Sequence, residues 1–303
     1  MKDINLSKNV LKRKKSYFLL FIFIFYTYYL NIINHNKSKY QQDDLTLVSA
    51  YYRIKSKHLP EEYLKWIKNF VMLNKSIVFF TNKEFMPTFK KLRPKELHGK
   101  TVFIVKEIED FYSYKNFYKE FNQSFEIDIE NSYQTVPLYI IWSEKLMFLK
   151  KAISDNYFNS KCFYWIDAGH FREDIKDISK YLNNWPSLNK CFEDKRILMA
   201  QVKYFSEIEK QKIINFDSDA HIKLQKDINI AANLFGGQVE NFLKFINYYY
   251  ESIKLFIKKK IFIGKDQNLY TYVAFSHPEI FNLVLSNNNY TYLRTYLSEI
   301  LYL

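Results

Sequence analysis

Phe163-Tyr164-Trp165-Ile166-Asp167-Ala168-Gly169-His170-Phe171-Arg172 is the stretch that decides the fold. Four apolar or aromatic residues run without interruption into one carboxylate. A continuous apolar run of that length reads as a strand buried on both faces. Asp167 stands where the strand should stop. In open α/β sheets ligands bind outside the carboxyl ends of the strands. A carboxylate there, followed by glycine for close backbone approach, suits a metal ion and the phosphates it neutralises. Asp and Gly are also ordinary turn residues, so a plain strand-ending turn is the alternative.

Other segments fit the same sheet. Leu45 to Tyr51, Ser76 to Thr81 and Thr101 to Val105 read as buried strands. Between the first two, Pro60, Glu61 and Glu62 open a helix whose apolar stripe is Tyr63, Ile67, Phe70 and Val71. Residues 107–131 are aromatic and read as irregular. A long helix is expected from Pro137 to Asp155, then the strand from Cys162 to Ile166. Ile197 to Val202 is a further strand, Ile228 to Phe235 another that closes on Gly236-Gly237, and Val239 to Ile257 a helix. Gly264-Lys265-Asp266-Gln267 leads into a helix from Asn268 to Phe275. Strands alternating with helices indicate an α/β fold with a mixed, mostly parallel sheet flanked by helices.

The 303 residues are 48% hydrophobic and 19% aromatic, with only 5 glycines and 6 prolines, enough to fill a sizeable core. The net charge of +13 is uneven: eight basic side chains against Asp3 give the first 40 residues +7 of it. The body is mildly basic and shows no concentrated cationic block, so no nucleic-acid partner is expected. Lys12-Arg13-Lys14-Lys15 precedes an apolar run from Tyr17 to Ile33. A helix of that length spans about 26 Å, enough for a thin bilayer. No Ala or Gly precedes Ala50, so a small-residue cleavage site is missing. Residues 1–15 are then a basic cytoplasmic tail, 16–33 an uncleaved signal anchor, 34–44 a stem and 45–303 the body. That is a type II, single-pass topology, with the body facing the ER or Golgi lumen or, in a cell without that route, the periplasm or surface. Sequons at Asn36, Asn74, Asn122 and Asn289 permit luminal glycosylation. Cys162 and Cys191 either form one disulfide or, for Cys162, a small apolar core residue.

The chain has no Gly-rich phosphate loop, Gly-x-Ser-x-Gly elbow or His-Glu-x-x-His, which removes motif support for most NTPase, serine-hydrolase and zincin chemistry. Four small pieces remain. Ser49-Ala50-Tyr51-Tyr52 at a strand end could stack a nucleobase or be a core edge. Lys145, in Trp142-Ser143-Glu144-Lys145, could reach a phosphate as a point charge or lie on the surface. Phe235-Gly236-Gly237 could admit a ligand or be a tight turn. Asp266 could cap its helix or face an acceptor hydroxyl as a general base.

Taken in this order the pieces resemble the HtrL/YibB family of glycosyltransferase-like proteins, many of whose members have no known activity. The likeness runs over residues 45–285 and rests on Ser49 to Tyr52, Phe79-Phe80-Thr81, Leu138 to Lys145, Trp165 to Arg172, Phe235 to Gly237 and Gly264 to Gln267. It implies a GT-A-like nucleotide-sugar fold that moves a sugar from a nucleotide-diphosphate sugar to a glycan or glycoprotein acceptor. It also implies donor contacts from Ala50, Tyr51, Thr81, Lys145, Arg172, Gly236 and Gly237, with Asp266 and Gln267 at the acceptor. In such enzymes an Asp-x-Asp holds a divalent metal, commonly Mn2+. Here Asp167 matches its first position and Gly169 replaces the second; His277 is the candidate late histidine. A catalytically silent GT-A-like module that binds glycans or a protein is the alternative.

Overall fold

The computed structural model describes Phe23, residues 40–286 and Leu301. The expected tail, anchor and most of the stem, and the sequons at Asn36 and Asn289, lie outside these, Phe23 apart. Among the described residues no helix is long and apolar enough to cross a membrane.

Among the described residues seven strands form one sheet in the order β3-β2-β1-β4-β6-β5-β7. They are β1 (Leu45–Tyr51), β2 (Ser76–Thr81), β3 (Thr101–Val105), β4 (Cys162–Ile166), β5 (Ile197–Gln201), β6 (Ile230–Gln238) and β7 (Phe281–Leu285). β1, β2, β3 and β4 pair in parallel, as do β5 and β7, while β6 runs antiparallel between β4 and β5. Apolar side chains alternate across the sheet as a period of two requires. Val48, Phe163 and Trp165 pack on one face, beneath helices Tyr112–Glu126, Val136–Asp155, Val239–Lys258 and Asp266–Ser276. Leu45, Leu47, Tyr164 and Ile166 pack on the other, against helix Pro60–Phe70 and the short helices of residues 175–193. With apolar helices on both faces, the central strands can be apolar throughout.

The sequence reading needs correction in four places. Residues 107–131 are not irregular: most of them form helix Tyr112–Glu126. β6 runs on through Gly236 and Gly237, which are strand residues and not a turn. The last long helix begins at Asp266, with Lys265 as its N-cap. β7, the short helices of residues 175–193 and the helices Glu207–Ile214 and Ser218–Lys226 have no counterpart in the sequence pattern.

The two cysteines are joined: Cys162 at the start of β4 is bonded to Cys191 of helix Leu188–Glu193. Both are buried.

Candidate active site

The sheet reverses its strand order between β1 and β4, with β2 and β3 to one side and β6, β5 and β7 to the other. A reversal of this kind leaves a crevice at the carboxyl ends of the two strands. A cleft enclosing about 140 Å³ lies there. Ala50, Tyr51 and Tyr52 line it from the end of β1, and Trp165, Asp167 and Gly169 from the end of β4. Small-molecule sites usually have about 300–1,000 Å³, so this enclosed part holds one ring-sized group, and a larger ligand would extend through the mouth.

Side chains at helical spacing form one wall. Leu138, Ile141, Trp142 and Lys145 of helix Val136–Asp155 all face the cleft. Residues three and four apart share a helix face. Thr135 caps that helix through Leu138 N. Glu144 points the other way, fully buried, and accepts from Lys106 Nζ at 2.8 Å, Tyr112 N at 3.0 Å and Ser113 N at 2.9 Å. It serves the open N-terminal turn of helix Tyr112–Glu126, whose own N-cap, Phe111, has no side-chain acceptor.

The floor of the cleft is a buried ion cluster. Lys145 Nζ lies 3.2 Å from Asp167 Oδ1, 3.0 Å from Asp266 Oδ2 and 3.0 Å from the Ala232 carbonyl oxygen. It also stands 5.7 Å from the centre of the Trp165 ring. Trp165 Nε1 donates to the same Asp167 oxygen at 2.7 Å. Lys145 is 3% exposed and Asp266 4%, whereas Asp167 is 38% exposed. Burial alone would lower the Lys145 pKa, but Asp167 and Asp266 outweigh it and hold the ammonium above its ordinary range. Burial raises the Asp266 pKa, the neighbouring Asp167 adds to that, and Lys145 offsets only part. A proton on Asp266 would leave the trio neutral.

Asp266 is held from behind. Lys265 is paired with Glu130 and donates to the Gln225 carbonyl at 2.7 Å. A Cβ on Gly264 would meet the Phe262 ring at 2.5 Å, so glycine is required for the loop to pass there.

The opposite rim comes from Arg172 and helix Pro60–Phe70. The Arg172 guanidinium lies 4.3 Å over the Trp66 ring. Its Nη1 donates to His58 Nε2 at 3.2 Å. That places the His58 proton on Nδ1, which faces Glu62 at 3.7 Å. Deeper in, Asn233 of β6 donates to His170 Nδ1 at 3.3 Å.

The sequence-derived candidates divide accordingly. Ala50, Tyr51, Lys145, Asp167 and Arg172 meet in the cleft. Thr81 does not: its hydroxyl donates to the Tyr51 carbonyl at 2.9 Å, holding the end of β1. Gly236 and Gly237 face a separate groove with Lys190, Asp194 and Arg196. Gly236 is paired with Tyr164, three residues before Asp167 and so about 10 Å along the strand. A Cβ on it would fall 2.0 Å from the Tyr164 ring, so this glycine serves packing. Asp266 supports Lys145 and is not among the cleft-lining residues, and neither is Gln267 beside it. His277 is at the far end of that helix, about 16 Å away by helical rise. There it stacks on Tyr248 at 3.7 Å. His58, Tyr63 and Asn233 line the cleft but were missed. Asn233 had a signal, a polar residue inside an apolar strand; the segment around His58 had none.

The expected metal does not fit these residues. Among the described residues Asp167 is the one carboxylate lining the cleft. Its Oδ1 is already taken by Lys145 and Trp165. Among the described residues no three His, Cys, Asp or Glu side chains are grouped to hold an ion.

A family model described as "Bacterial protein of unknown function (HtrL_YibB)" matches residues 43–298. No curated protein matches the chain. The chain belongs to the HtrL_YibB family.

Proposed function

We propose that this HtrL_YibB protein is a membrane-anchored glycosyltransferase that takes its sugar from a nucleotide-diphosphate donor, on a GT-A-like fold. The observation that carries the reading is the cleft at the β1/β4 reversal, with a buried ammonium and one open carboxylate on its floor. Trp142, partly buried in its wall, offers a stacking surface for a base or sugar ring. Arg172 at the mouth is placed for donor phosphates, which bind the planar guanidinium well.

In the transfer, the bond from the anomeric carbon to the diphosphate oxygen breaks. A bond from the acceptor oxygen to that carbon forms. Asp167, the accessible carboxylate, takes the hydroxyl proton in this scheme. Lys145 and Arg172 offset charge on the departing diphosphate. Asp266 positions Lys145.

The body belongs in an oxidising compartment, the secretory lumen or the periplasm. The Cys162–Cys191 bond supports this, because structural disulfides persist in such places.

The test is titration of the full-length chain with UDP-, GDP- and CMP-sugars, then donor turnover with glycan acceptors. Saturable binding of one donor, weakened by Arg172→Ala and followed by transfer that Asp167→Asn abolishes, supports the reading. Binding of glycans by a folded protein that ignores every donor would replace it with a silent module.

A further inference from the structure

We infer that Lys145 is a built-in cation, standing where a divalent metal would otherwise sit between Asp167 and Asp266, so that the cleft works without a metal. The inference concerns the same cleft as the proposed transferase, but its geometry does not depend on the substrate.

Three oxygens converge on one buried nitrogen. Asp167 Oδ1, Asp266 Oδ2 and the Ala232 carbonyl surround Lys145 Nζ at 3.0–3.2 Å. An ammonium has three donors and no acceptor; here one donates to the Ala232 carbonyl, and the two carboxylate oxygens lie within ion-pair distance. A mixed cage of two carboxylates and a carbonyl is what a hard divalent ion selects. The ammonium fills it from within the chain, tethered to helix Val136–Asp155. It cannot leave without abandoning two carboxylates, one of them buried at 4% exposure.

Gly169 agrees with this. It stands two residues after Asp167, at the place a second ligand would occupy. Trp66 and Tyr63 close over it, with Trp66 Cε3 only 3.1 Å from where a Cβ would be. A side chain at this position would press on the indole on which Arg172 lies. Lys145 and Arg172 together bring two positive charges to one cleft, the charge a single divalent ion would supply. Lys145 is held among protein oxygens and acts through its field, whereas Arg172 offers further N–H groups at the mouth.

The test adds Mn2+ alone to the full-length chain and follows free Mn2+ by electron paramagnetic resonance. Wild type should show no saturable site tighter than about 1 mM, the weak end of protein sites for divalent ions. Lys145→Ala empties the cage and should gain one Mn2+ site, at least about tenfold tighter. Lys145→Ala/Asp266→Asn should lose it again. Near-ultraviolet circular dichroism checks that each variant is folded. One equivalent of Mn2+ bound by wild type and lost in Asp167→Asn would overturn the inference. So would a folded Lys145→Ala that gains no site. If Lys145→Ala does not fold, the wild-type and Asp167→Asn titrations decide alone. A donor that binds only with Mn2+ would also overturn it, while leaving the transferase reading intact. A chain that binds no donor would sink the transferase reading and leave this inference to the Mn2+ titrations.

Discussion

Gly169 and Trp66 are packed so closely that a Cβ on the glycine would meet Trp66 Cε3 at 3.1 Å. Trp66 has little room to yield, since His58, Tyr63 and Arg172 all lie against its ring. Restoring an Asp-x-Asp by Gly169→Asp should therefore cost about 1–3 kcal/mol of stability through overpacking. It should add no Mn2+ affinity. Urea unfolding and Mn2+ titration of the variant check the two halves separately.

Glu144 is the buried acceptor for Lys106 and for two backbone N–H groups of helix Tyr112–Glu126. Glu144→Gln keeps the shape but removes the charge. We expect a loss of about 3 kcal/mol, in the range for breaking a buried charged pair. Hydrogen exchange should speed up in the first turn of that helix. An unchanged unfolding midpoint would contradict this role.

That arrangement also explains what the sequence conceals. The buried strands β1, β2, β3 and β4 and helix Val136–Asp155 were legible because continuous apolar runs and a 3.6-residue stripe leave one-dimensional traces. Helix Tyr112–Glu126 was not, because its cap comes from Glu144, about thirty residues away. The cleft residues on β1 and β4 could be found from their place at strand ends. The depth of Asp266 could not, since spacing says nothing about what stands in front of a side chain. His277 was chosen only for coming late in the chain, and it packs elsewhere.

The ion cluster gives stability a definite pH dependence. Asp266 has a pKa raised above the ordinary 3.8, so the folded chain holds a proton there that the unfolded chain releases. Its contribution is present below about that value and is lost as pH rises through the raised one. Lys145 is raised above 10.5, so its contribution is full below that and fades as pH climbs past it. Both slopes run downward with rising pH, one starting in the acid range and one in the alkaline. The difference in urea midpoint between wild type and Asp266→Asn should shrink as pH rises through the acid range, which isolates Asp266 from carboxylates such as Glu130 and Asp194, whose lowered pKa values act with the opposite slope.

Reducing the Cys162–Cys191 bond frees a loop with a sequence separation of 29. Chain-entropy arguments give about 3–4 kcal/mol for a loop of that size. The paired variant Cys162→Ala/Cys191→Ala should unfold at lower urea than wild type. Wild type in reductant should approach it slowly, because both sulfurs are buried. Equal midpoints with and without the bond would count against the pairing.

The most direct test is calorimetric titration of the full-length chain with UDP-, GDP- and CMP-sugars in EDTA, beside Arg172→Ala. Saturable binding of one donor without metal, weakened at least about tenfold when the guanidinium is removed, is the expected result; that factor corresponds to ~1.4 kcal/mol. A folded protein that binds no sugar nucleotide, with or without Mn2+, would contradict the assignment of the cleft.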